Sequence, residues 1–161
     1  MTSCSKAEDA FELARRDGAA MNVVAVIQHT SGEYLGLIED HLEGRGIRFQ
    51  YFRPFAAGQL PGATLPADAL ILLGGGPWGA AGVRDLPTLD EEVELARRRL
   101  DDGTPVIGFG LGATILALAA GGSVESTPLE FAITAVRRTR ADALTGFLPE
   151  AFHQVTYLRD R

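Results

Sequence analysis

From Asn22 onward the apolar positions fall into short runs that alternate with amphipathic stretches, and the alternation predicts strand, helix, strand several times over. Val23 to Ile27 is a near-continuous β-branched run, as expected of a strand buried on both faces. Leu35, Leu37, Ile38 and Leu42 then mark one face of a helix ended by Gly44 and Gly46. Ile47 to Phe52 reads as a second strand with Ile47, Phe49 and Tyr51 on one side. Ala56 to Pro66 is rich in Gly and Pro and predicts a loop. Ala69 to Leu73 predicts a third buried strand that runs directly into Gly74-Gly75-Gly76-Pro77.

Thr88 to Leu100 carries Leu89, Val93, Ala96 and Leu100 near helical spacing, with Thr88 as N-cap and Glu91 in capping-box position. Gly103 closes that helix. Pro105 to Phe109 predicts a fourth strand, followed at once by a helix over Leu111 to Ala120 and a Gly121-Gly122 stop. Strand-like segments follow at Phe131 to Val136 and His153 to Tyr157. Strands separated by such helices predict a three-layer α/β fold, a mostly parallel sheet with helices on both faces. Residues 1–20 read as an N-terminal extension, with Ala7 to Arg16 suited to a short helix, and residues 21–161 as the domain.

A chain of 161 residues with 46% apolar and 22% charged residues suits one globular domain. Its net charge of −6 argues against nucleic-acid binding, which needs clustered positive charge. The longest basic runs, Arg97-Arg98-Arg99 and Arg137-Arg138, read as a solvated helix face and a strand end. Cys4 is the sole cysteine, which excludes an internal disulfide or a cysteine metal cluster; no cofactor or metal is expected. The longest apolar stretches, such as Ala113 to Ala120, are too short to span a bilayer, and the expectation is a cytoplasmic protein with no membrane partner.

In open parallel sheets ligands sit beyond the carboxyl ends of the strands. The sharp turns at Gly74 to Pro77 and Gly108 to Gly112 occupy two such ends. Gly108-Phe109-Gly110-Leu111-Gly112 has the frame of a nucleophile elbow, between a buried strand and a helix. The central residue of that frame turns sharply and sits at a helix N-terminus, where a developing anion is stabilised. The same spacing also serves packing or phosphate binding, so the frame alone leaves those readings open.

The run from Gly103 to Gly122 resembles the class I glutamine amidotransferase signature, in which a strand ending in Gly-x-Cys-x-Gly leads to a helix that finishes at a Gly-Gly pair. Leu70 to Pro77 resembles the family's strand ending in Gly-Gly-Pro. Val26 to His29, Leu42 to Gly46, Arg53-Pro54 and Leu144 to Phe152 resemble successive segments of the subgroup similar to GMP synthase. The resemblance covers about Met21 to Asp160 and implies a flavodoxin-like fold. It also implies a mechanism in which a cysteine attacks the glutamine side-chain amide, a His-x-Glu pair activates the thiol, and ammonia passes to a partner site.

Carried onto this chain, the resemblance places the oxyanion donors at Gly76 and Leu111, beside Gly75 and Pro77, and the nucleophile at Gly110, which has no side chain. Thr114 stands where the family often has glutamine. Tyr157-Leu158-Arg159-Asp160 stands where Trp-His-Gly-Asp is expected, and the chain ends without a His-x-Glu pair, so the domain reads as incomplete at its C-terminus. Cys4 is no substitute, in a segment with no recognisable reactive setting. His153 reads as structural and His29 as the end of the first strand; His41 lies elsewhere in the pattern.

The expectation is a catalytically inactive relative acting as scaffold, subunit or regulator, with a synthase or amidotransferase partner subunit or a second copy as its partner. One alternative keeps a pocket for a small carboxylate or phosphate ligand; Trp78 reads first as a packed loop residue and second as a side chain that closes this pocket, and Asp85, Asp90 and Glu91 beyond it read as loop and helix N-terminus. The other alternative is a fragment of an amidotransferase.

Overall fold

The strand β1 (Val23–Ile27) is buried along its whole length, as its β-branched run predicts. It lies in the centre of a four-stranded sheet of order β2-β1-β3-β4, with β2 at Arg48–Phe52, β3 at Ala69–Leu72 and β4 at Val106–Gly108. Every pairing is parallel: Val24 stands beside Phe49 on one side and Ala69 on the other, and Leu72 beside Gly108. A computed structural model supplies the structure, and it describes residues 22–57, 60–61, 66–75, 86–141 and 146–160. The expected extension at residues 1–20 lies outside them.

Parallel neighbours need crossovers, and the helices provide them. Helix α1 (Leu37–Glu43) joins β1 to β2, α3 (Leu89–Asp101) leads to β4, and α4 (Leu111–Ala119) leaves it. The alternation of side chains along the strands splits the core in two. Val23, Ala25, Ile27, Leu70 and Leu72 pack with Leu95, Ala96 and Ile115 of α3 and α4. Val24, Val26, Ile71 and Leu73 pack with Leu35, Ile38, Leu42, Ile47, Phe49 and Tyr51. The sheet is thus covered on both faces, a three-layer flavodoxin-like arrangement.

Several details depart from the sequence pattern. Pro54–Ala57 forms a one-turn helix α2 at the start of the expected loop, with proline at the first helical position, where its missing N–H costs nothing. Leu37 is 78% exposed, and Leu35, which precedes α1, fills the core position instead. Arg99 is buried rather than solvated, because it lies on the same helical face as Leu95 and Ala96. Thr88 is the N-cap of α3 but makes no side-chain capping bond; its hydroxyl donates to Glu92 instead, so the expected box with Glu91 does not form.

The last two strand signals grow into a long antiparallel pair, β5 (Ser126–Arg137) and β6 (Ala151–Asp160), which is a separate two-stranded sheet. His153 lies within β6 opposite Ala135 and is exposed.

Candidate functional site at the strand ends

The turn after β4 is built around three glycines with different physical tasks. A Cβ on Gly112 would lie 2.1 Å from the Leu72 carbonyl oxygen, so only glycine lets α4 press against β3. A Cβ on Gly108 would lie 2.5 Å from the Gly112 carbonyl oxygen. Gly110, between them, has φ 52° and ψ −115°, a conformation that side chains with a Cβ adopt only under strain. Space is not the obstacle there, since a Cβ on Gly110 would meet only the Gly74 Cα at 3.5 Å. Residue 110 therefore sits at the apex of a strained strand-to-helix turn, open on one side and facing the end of β3.

Backbone hydrogen bonds lock this turn. Phe109 N–H donates to the Leu72 carbonyl, and Gly112 N–H to the carbonyls of Leu73 and Phe109. Ala113 and Thr114 N–H groups close on the Gly110 carbonyl. Leu111 is the first helical residue, so its N–H is among the donors that a helix start leaves without an internal partner. Thr114 turns its hydroxyl back toward the Gly110 carbonyl at 3.4 Å.

A cavity of about 400 Å³ opens beside the apex, lined from the end of β3 by Leu73 and Gly74, from the turn by Phe109 and Gly110, and from the segment after β1 by Glu33, Tyr34, Leu35 and Ile38. It lies beyond the carboxyl ends of β1, β3 and β4, where the strand order reverses between β1 and β3, the usual ligand crevice of such sheets. Of the residues singled out in the sequence, Gly110 lines it, and Gly75, Leu111 and Thr114 are not among its lining residues. Gly76, Pro77, Trp78 and Asp85 lie outside the described residues. Asp90 and Glu91 are exposed in the first turn of α3.

The sequence did not point to Glu33. Its carboxylate lies over the β3 turn so closely that a Cβ on Gly74 would come within 2.7 Å of it. A carboxylate or phosphate drawn by the helix N-terminus thus meets an acidic wall. The segment carrying Glu33 is pinned from β1 and β2. Buried Gln28 donates from its amide to the Glu33 carbonyl, Arg53 donates to Gln28, and Leu35 N–H donates to the Tyr51 hydroxyl at 2.8 Å. Tyr51 in turn donates to Glu39, and burial together with that bond pushes its pKa up to about 12.

The second site the sequence left unread is a buried polar chain beneath the β3 turn. His29 Nε2 lies 2.7 Å from Glu92 Oε2, and Thr88 donates to Glu92 Oε1 at 2.7 Å. The His29 and Glu92 side chains are 3% and 0% exposed. Nδ1 of the same ring faces the carbonyls of Leu73 and Gly74 at 2.9 and 3.2 Å. Carbonyls only accept, so Nδ1 carries a proton, and the Glu92 carboxylate favours a second one on Nε2. Burial alone would lower the His29 pKa; the hydrogen bond and charge of Glu92, with the two carbonyls, outweigh it and the net shift is upward. With both nitrogens engaged, His29 holds the β3 turn to α3 and is not free to act as a base toward residue 110. A partner 63 residues away leaves no local signal in a sequence.

No protein-family model matches the chain. It is 32% identical over 122 residues to the GMP synthase (glutamine-hydrolyzing) of Aeropyrum pernix, a match spanning 75% of this chain and 22% of that protein. A crystal structure of a glutamine amidotransferase from Thermotoga maritima superposes with a TM-score of 0.74 at 24% identity, covering 89% of this chain and 63% of that one. A glutamine amidotransferase structure from Methylobacillus flagellatus gives 0.73 at 28% identity, covering 88% and 57%. The chain spans about a fifth of the synthase and less than two-thirds of either solved relative. Fold and sequence similarity agree, and the chain is class I glutamine amidotransferase-like.

Proposed function

We propose that the chain is a non-catalytic glutamine amidotransferase-like domain, residues 21–161, that serves a partner as scaffold, subunit or regulator. The observation that carries this reading is glycine at residue 110, the apex of the elbow between β4 and α4. The family's chemistry needs a thiolate at that apex and a base beside it. Losing a covalent nucleophile with its base removes on the order of a million-fold of rate and leaves only binding and oxyanion stabilisation. His29 cannot stand in for the base, because Glu92 and two backbone carbonyls occupy its ring. The resemblance puts the family's oxyanion donors at Gly76 and Leu111, and Leu111 opens α4.

The likeness to a glutamine-hydrolyzing GMP synthase supports a synthase or amidotransferase subunit as the partner, and the cytoplasm is the proposed location. Among the described residues no helix is long and apolar enough to cross a membrane. The test is the Gly110→Cys variant given L-glutamine. The reading expects no more ammonia from it than from the unaltered chain, because no histidine is among the described residues lining the cavity and both ring nitrogens of His29 are engaged. Turnover by the variant would mean that only the sulfur was missing.

A second reading is favoured by the cavity itself: about 400 Å³ beside Gly110 is room for a small molecule, and the site then works as a sensor or binding pocket.

A further inference from the structure

Resting on that second reading of the cavity as a retained ligand site, we propose that Glu33 selects its occupant. The pocket then takes a small molecule bearing a protonated primary amine rather than the carboxylate or phosphate that a bare helix N-terminus would attract. Among the described residues that line the cavity, Glu33 is the one that carries a charge. It brings a full negative charge, whereas the start of α4 offers roughly half a positive charge that fades within a turn.

The carboxylate lies against the β3 turn, on a segment whose backbone is held in place. Glycine at 74 leaves the space in which it lies, because a Cβ there would come 2.7 Å from one carboxylate oxygen and 3.1 Å from the other. The backbone on either side is held from outside the cavity, by Gln28 at the Glu33 carbonyl and by Tyr51 at the Leu35 N–H. Gln28 is fully buried and is itself fixed by Arg53. Among the described residues no side chain forms an ion pair or hydrogen bond with the Glu33 carboxylate.

The remaining lining fits the carbon body of such a ligand. Tyr34 and Phe109 present aromatic surface, 56% and 41% exposed, and Leu35, Ile38 and Leu73 complete an apolar wall. An ammonium group beside aromatic faces gains further attraction that an anion does not.

The test uses two matched probes, n-butylammonium chloride and sodium n-butyrate, titrated at constant ionic strength into the full chain labelled with ¹⁵N. The amides of Gly74, Phe109 and Gly110 are followed. Butylammonium is expected to shift them with a Kd roughly tenfold below that of butyrate, the size expected when one probe gains a partly exposed ion pair and the other meets like charge. In Glu33→Gln that preference is expected to fall to about one, with amides far from the cavity unmoved. Butyrate binding as tightly as butylammonium, or an unchanged preference in Glu33→Gln, would overturn the role of Glu33 while leaving a ligand pocket in place. If neither probe shifts these amides, the ligand-site reading fails and the proposal fails with it.

Discussion

At Gly112 an added methyl group has nowhere to go, because the atoms it would strike are the backbone carbonyl of Leu72 in the neighbouring strand. Gly112→Ala is therefore expected to cost on the order of 3 kcal/mol or more, as overpacking against a rigid partner does. Gly108→Ala meets backbone as well and should follow it. Gly110→Ala has room and suffers only its backbone strain, about 1–2 kcal/mol. Denaturant midpoints of the three variants check this order, and a Gly110→Ala loss larger than that of Gly112→Ala would contradict the described turn. These glycines were legible in the sequence because their spacing is local. The Glu33 carboxylate over Gly74 was not, since only the sheet brings those two segments together.

His29 supports a prediction about pH. Its folded pKa is raised, so the charged ring contributes stability that is complete below about pH 6.5 and is lost as pH rises through the folded-state value. The Tm gap between the natural chain and His29→Asn should be widest in mildly acidic solution and should narrow as pH rises above that point. A gap that widens with rising pH would show the ring to be neutral in the folded protein.

Among elements, the parallel strands were the easiest to read, since burial on both faces demands an unbroken apolar run and β1 and β3 carry one. The β5–β6 pair was read too short. The start of β5, Ser126 to Glu130, is largely exposed, and only the cross-strand pairing reveals the full length of the pair. Phe131 and Ile133, each 75% exposed, stand opposite Tyr157 and Val155 on one face of that pair. Phe131→Lys and Ile133→Lys are expected to change folding stability by no more than about 0.5 kcal/mol, as surface substitutions do. Denaturation of the two variants checks this. A loss of several times that size would mean that the face is packed in the folded protein.

For the whole molecule, the fold and the place of the crevice follow from the order of strands and turns, whereas the proposed absence of catalysis rests on one residue at one apex. The two separate because a flavodoxin-like sheet presents the same crevice whether or not a reacting atom stands in it. Gly108 at the end of β4 and Gly112 in α4 preserve the turn's shape, and glycine at residue 110 relaxes the strain that a side chain there would bear. The most direct measurement is ammonia release from L-glutamine by the purified chain at neutral pH. The account predicts no release above the spontaneous background, and turnover in the ordinary enzymatic range of roughly 1–10³ s⁻¹ would contradict it.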